Sequence, residues 1–271
     1  RRVLPTPALP ADVYEANSPQ FTVSVSRMDQ LTRTMLTLCR PARVYVPLDQ
    51  LLSAVELPWD GTAWCAVLPR VWRDRDEAEI RSWLEYAKAL GVSGVLAGNL
   101  GHLPLVRDTG LELYGDFGLN VFNSRSLDYL REKGFASACV SFELRFPQIR
   151  DLRKILPTEA IVYGRLPLMI TENCLIRNSV GCQCQEPHML VDRTGAAFPL
   201  LPAYGHRTEI QNSRALYLAD RTEYQRLGLT YARLRFTTES PETCSAIFQN
   251  YLRGVPASGD YTRGLYERGV E

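Results

Sequence analysis

Short β-branched and apolar runs alternate with amphipathic segments along almost the whole chain, and that alternation restricts the fold more than any other feature. Strand-like runs begin near residues 21, 43, 62, 92, 112, 137, 159 and 230. FTVSVSR (21–27) alternates with a period of two, and MDQLTRTMLTLC (28–39) carries apolar residues at helical spacing before Pro41 stops it. RVYVPL (43–48) precedes a short helix over 49–56, with Asp49 as its expected cap. TAWCAVLPRVW (62–72) leads into DRDEAEIRSWLEYAKAL (74–90), acidic at its start and lysine-bearing near its end, as the helix dipole favours. The runs at 92–99, 111–123, 137–144 and 159–170 read as further strands, and those at 124–134 and 147–156 as helices. Residues 213–228 read as helix, 230–238 as strand and 240–254 as a helix with a serine cap and proline in its first turn. Eight strands with helices or short crossovers between them predict an α/β fold, a (β/α)8 barrel of TIM type; the alternative is an open doubly wound sheet.

Residues 1–20, with four prolines, read as a linker or packed arm, 21–256 as the barrel with an irregular insertion over 171–212, and 257–271 as a polar tail. Within the insertion, LVDRTGAAFPL (190–200) has the turn residues of a hairpin. The chain starts at Arg1, as an excised piece of a longer protein would, so other domains of a parent chain are expected partners. Basic and acidic residues number 31 and 30, so net charge announces no polyanionic partner. No run of about 18 apolar residues is present, which excludes a helical membrane span from the expectations. Seven cysteines scattered over strands and helices suit a reducing, cytoplasmic compartment.

Three of those cysteines, Cys174, Cys182 and Cys184, follow the strand at 159–170 within eleven residues. Thiolates bind zinc or iron–sulfur clusters, and close spacing lets one loop supply several ligands. A fourth ligand would come from His206 or Cys244, with His188 a weaker choice. Cys39, Cys65 and Cys139 fall inside a helix and two strands and read as small core residues.

A barrel gathers its function at the C-terminal ends of the strands. Those ends carry Arg27, Asp49, Arg70, Asn99, Asn120, Asn123, Glu143, Arg165 and Glu239. Arginines and asparagines there suit an anionic or hydrogen-bonding ligand, because the guanidinium fork matches carboxylate or phosphate. From this set Arg27, Asn99, Asn120, Asn123, Glu143 and Arg165 form the expected substrate-binding group, with Arg165 foremost. No G-x-S-x-G, HExxH, P-loop or GxGxxG motif occurs, and the three histidines form no triad pattern.

YGDFGLNVFNS (114–124), SFEL (141–144), YGRLPLMITENC (163–174), LVDRTGAAFPL (190–200), TEIQNS (208–213) and YTRGLYERGV (261–270) together resemble the collagenase-like peptidases, unassigned peptidase family thirty-two. The resemblance runs from about residue 20 onward and is to the carboxy-terminal barrel segment of long bacterial members. It implies either of two activities: a protease, or hydroxylation of tRNA or ribosomal RNA, or of ubiquinone, with a four-cysteine iron–sulfur cluster. The RNA-directed redox role is the leading expectation and proteolysis, through Glu143 or Glu239, the second. A non-catalytic barrel binding RNA or a partner through Tyr261, Tyr266, Arg263 and Arg268 is the third. Carried over by residue, Cys174, Cys182 and Cys184 hold the cysteine-bearing segment. His206 stands where a further cysteine is expected near TEIQNS. An iron–sulfur cluster is the implied cofactor, with zinc or no metal in protein purified in air.

Overall fold

The computed structural model describes residues 8–11, 13–58, 61–181, 183 and 187–268. Seven parallel strands come first: β1 (Gln20–Ser24), β2 (Arg43–Pro47), β3 (Ala63–Val67), β4 (Gly94–Ala97), β5 (Glu112–Gly115), β6 (Ser137–Cys139) and β7 (Thr158–Gly164). The chain then leaves the barrel through β8 (Pro167–Thr171), β9 (His188–Val191), β10 (Ala197–Ala203) and β11 (Arg207–Gln211), an antiparallel sheet in the order β8-β11-β10-β9. It returns through β12 (Ala215–Tyr217), which pairs antiparallel with β7, and closes the barrel with β13 (Tyr231–Arg235), parallel to both β7 and β1. A last strand, β14 (Tyr261–Thr262), lies along β12. The helices are α1 (Leu48–Leu51), α2 (Glu77–Ala89), α3 (Leu103–Val106), α4 (Ser124–Glu132), α5 (Phe146–Asp151), α6 (Leu175–Val180) and α7 (Pro241–Arg253). The fold is the expected α/β barrel of TIM type, with its insertion after strand seven.

The helix layer packs on the outer faces of the strands. On α2, Ile80, Leu84 and Ala87 recur at helical spacing and are buried in the hydrophobic core. Burying a side chain such as Ile80 or Leu84 contributes about 1.5–3 kcal/mol. The barrel interior is different. TIM barrels usually fill it with branched aliphatic residues, but here Arg233 lies at its centre, fully buried, between the carboxylates of Glu159 and Asp116. Thr22 and Tyr45 donate to Glu159 as well. Towards the N-terminal end, the Arg43 guanidinium is sandwiched between the rings of Tyr114 and Tyr231, at 3.9 and 4.1 Å, and donates to Ser137 at 2.8 Å. Burial alone would lower the Arg233 pKa, but the flanking carboxylates raise it well above its ordinary value and the guanidinium stays charged.

Several elements depart from the sequence reading. Residues 28–39 form a 3-10 turn (Met28–Gln30) and a π turn (Met35–Cys39) in place of one helix. The Gln30 amide causes the break: it donates to the carbonyls of Thr237 and Glu239 and accepts from the Ser26 amide, anchoring the segment to the end of β13. Asp49 stands inside the first turn of α1, which Pro47 precedes as cap residue. The apparent strand at 159–170 is two strands. Gly164, at φ +121°, turns the chain where any side chain would meet the Arg235 carbonyl, 2.0 Å from the position of a Cβ. Residues 213–228 are not a helix: they hold β12 and a 3-10 turn (Glu223–Arg226), because pairing with β7 outweighs local helical spacing. The arm bonds to the barrel through Tyr14 to Lys154 and Ala16 to Gly228. No helix among the described residues is long and apolar enough to cross a membrane.

Candidate functional site

The antiparallel sheet carries β11 across the C-terminal mouth of the barrel. Side chains alternate along a strand, and on β11 the two sets serve different neighbours. Thr208 accepts from the Leu175 amide at the start of α6, while Arg207, Glu209 and Gln211 form polar contacts with the barrel and its loops. Glu209 pairs with Arg70, just beyond β3, and with Arg235, the last residue of β13, at 3.2 Å. Gln211 donates to Glu209 at 2.8 Å and accepts from Arg235 at 2.8 Å. Phe117, in the turn after β5, lies beneath both guanidinia, 5.3 Å from that of Arg70 and 5.8 Å from that of Arg235. Further out, Glu172 bridges Arg73 and Arg207 at 3.1 and 3.0 Å.

The expected binding residues divide in this frame. Arg165 is at the mouth, donating to the carbonyls of Asn212 and Ser213, while its own carbonyl accepts from Arg235 at 2.6 Å. Glu239 is also there, accepting from the Tyr163 hydroxyl at 3.0 Å and the Thr237 amide at 2.6 Å. Burial, with that carboxylate beside it, pushes the Tyr163 hydroxyl far above its ordinary pKa. Asn99 and Asn123 cap turns, accepting from the amides of Gly101 and Ser126 at 2.8 and 3.0 Å, and Asn120 holds a left-handed backbone position at φ +53°. Arg27 pairs with Asp29 at 3.0 Å on the surface, and Glu143 is exposed. Glu209 and Gln211 fall in TEIQNS and Phe117 in YGDFGLNVFNS, but neither they nor Arg235 stand among the expected binding residues. The period-two placement of polar residues in RTEIQ was the available signal.

The cysteines separate likewise. Cys174 is the N-cap of α6; its Sγ accepts from the Arg177 amide at 3.4 Å. The register of β8 and β11, with Thr171 opposite Thr208, puts Cys174 and His206 at the same end of that pair. His206 occupies the turn before β11, at φ +59°. Cys182 and Cys184 lie outside the described residues. Between them in sequence, Gln183 meets His188 through its carbonyl, 2.7 Å from Nε2. Cys244 is in the barrel core on α7, where burial pushes its thiol up to about 12. Cys39, Cys65 and Cys139 are buried, as expected of core residues. Among the described residues, no three His, Cys, Asp or Glu side chains gather into a metal site. Cys174 and His206 thus share one end of the β8–β11 pair, while Cys244 lies apart from them on α7. His102 is fully buried, with Nε2 3.0 Å from the Pro69 carbonyl and Nδ1 without a partner.

Comparison with known proteins adds the family. The model of peptidase family U32 matches residues 50–186, half of the chain. No curated protein matches. Among solved structures, the U32 peptidase Mk0906 shares 12% identity at a TM-score of 0.40, over 59% of this chain and 74% of that one. Thiamine phosphate pyrophosphorylase from Pyrococcus furiosus shares 8% identity at a TM-score of 0.38, over 89% of this chain and 99% of that one. Likenesses this distant say nothing about activity. By the family match, this eight-stranded barrel with its antiparallel insertion belongs to peptidase family U32.

Proposed function

We propose that this barrel serves a metal-linked hydroxylation of RNA, in the cytoplasm and alongside other domains of a longer chain, and does not hydrolyse peptides. The observation that supports the reading is the β8–β11 register, with Thr171 opposite Thr208, which leaves Cys174 and His206 at one end of that pair; Cys182 and Cys184 follow Cys174 in sequence. Those four residues would hold the group, and the Arg177 amide already bonds the Cys174 sulfur as backbone amides do around metal-bound thiolates. An iron–sulfur cluster bound there would supply electrons. Arg70, Arg165 and Arg235 provide the cationic mouth that a phosphate-bearing substrate requires. Hydrolysis is the second reading; Nε2 of His102 and of His188 each meet a backbone carbonyl.

The test is anaerobic purification followed by an absorption spectrum and assays of iron, sulfide and zinc. Stoichiometric iron and sulfide, lost in a Cys174→Ser/Cys182→Ser variant, is the expected result. Hydroxylated nucleosides would then be sought by mass spectrometry in RNA treated with the reduced protein. Colourless, metal-free protein that cleaves gelatin would overturn the reading in favour of a peptidase.

A further inference from the structure

The mouth of this barrel is occupied by the protein's own carboxylate. Arg70 and Arg235 come from the ends of two barrel strands and converge on Glu209, one guanidinium on each oxygen, with Phe117 beneath both. Two forks around one carboxylate form the arrangement that recognises an external carboxylate or phosphate. It lies at the end of the barrel where ligands bind. The carboxylate, in contrast, belongs to β11 of the inserted sheet and not to a barrel strand. The local charge is also unbalanced. Arg70 and Arg235 share the single carboxylate of Glu209, while Glu239, the other acid there, is engaged by Tyr163 and the Thr237 amide. The Arg70 side chain is 34% exposed, so solvent and solutes reach the fork from outside.

We propose that the Arg70–Phe117–Arg235 fork is an oxyanion site, held in a self-occupied state by Glu209, and that a ligand bearing a carboxylate or phosphate takes the fork by displacing that side chain. Exchange of one carboxylate for another keeps both guanidinia paired, and the displaced Glu209 passes to solvent. The proposal does not depend on the metal site; each can fail alone.

Titration calorimetry on the full chain tests it, with malonate and inorganic phosphate as separate probes. Glu209→Gln is expected to bind at least one probe saturably and about tenfold tighter than the unsubstituted protein, a difference of about 1.4 kcal/mol. Adding Arg70→Gln should remove the gain. The probe that shows it identifies the ligand group as carboxylate or phosphate. Equal affinity with and without Glu209, or a gain that survives Arg70→Gln, would overturn the site. Should Glu209→Gln not fold, phenylglyoxal modification of the unsubstituted protein gives the answer. Saturating malonate or phosphate should protect Arg70 while leaving the exposed Arg75 reactive, and absence of protection would refute displacement.

Discussion

Arg233 shows how a single buried charge organises the residues around it. It is tied to Glu159 and Asp116, and Asp116 in turn accepts from the Phe117 amide and fixes the turn on which Phe117 stands. Replacing Arg233 with Met leaves two carboxylates buried without a cation, which should cost about 3–5 kcal/mol. Urea denaturation of Arg233→Met measures it, and a loss below 1 kcal/mol would mean that the interior relaxes or admits water. His102 makes a prediction of a different kind. Burial lowers its pKa to about 4 from an ordinary value of 6.5. Below pH 6.5 the unfolded chain binds a proton that the folded chain refuses. Stability is therefore full above pH 6.5 and falls as pH drops toward 4, by about 3 kcal/mol in all. Chemical denaturation at stepped pH should show this limb, and His102→Gln should flatten it.

At the scale of elements, the legible parts were those whose pattern is local. The seven barrel strands before the insertion and α2, α4 and α7 follow from runs and caps that adjoin in sequence. The hairpin of β9 and β10 followed from Arg193-Thr194-Gly195, and Asp192 closes it by accepting from the Thr194 and Ala196 amides. What was hidden depends on partners far along the chain. SRALYLAD carries helical spacing, yet β7 takes Leu216 and Tyr217 as a strand. Strand ends correctly located Asn99 and Asn123 but could not separate a ligand contact from a cap. Arg235 and Glu209 meet across 26 residues and two sheets, which no short pattern encodes. The junction of the two sheets is Gly164. Because a Cβ there collides with the Arg235 carbonyl in a backbone region unfavourable to alanine, Gly164→Ala should destabilise by more than about 1 kcal/mol. It should also shift Arg235 and weaken oxyanion binding, so calorimetry and denaturation should fail together; a stability loss with binding intact would separate the junction from the mouth.

For the whole molecule, the question is what covers β7 on the side where the insertion has replaced the usual crossover helix. β6 pairs with β7 only as far as Glu159, and the register of β13 on β7 shifts between Ile161 and Tyr163, which leaves carbonyls on both edges of β7 needing donors. Tyrosine hydroxyls supply them: Tyr266 donates to Ile161 and Tyr251 to Val162, both at 2.6 Å. Tyr266 belongs to the tail. Its ring stacks on Phe146 of α5 at 5.1 Å, and its carbonyl accepts from the Phe146 amide. Arg263 pairs with Asp220, and β14 lies along β12. The tail therefore closes the barrel wall, with Tyr266 buried in it and Tyr261 half-buried against Tyr217. Two substitutions separate the contributions. Tyr266→Phe removes one buried hydrogen bond and leaves the Ile161 carbonyl unmet, at about 1–3 kcal/mol. Tyr266→Ala also removes a fully buried ring, and large aromatic truncations cost about 3–5 kcal/mol. Both values should appear in urea denaturation monitored by tryptophan fluorescence. If Tyr266→Ala unfolds no more readily than Tyr266→Phe, the ring is not part of the wall and β7 is held by its strand neighbours alone.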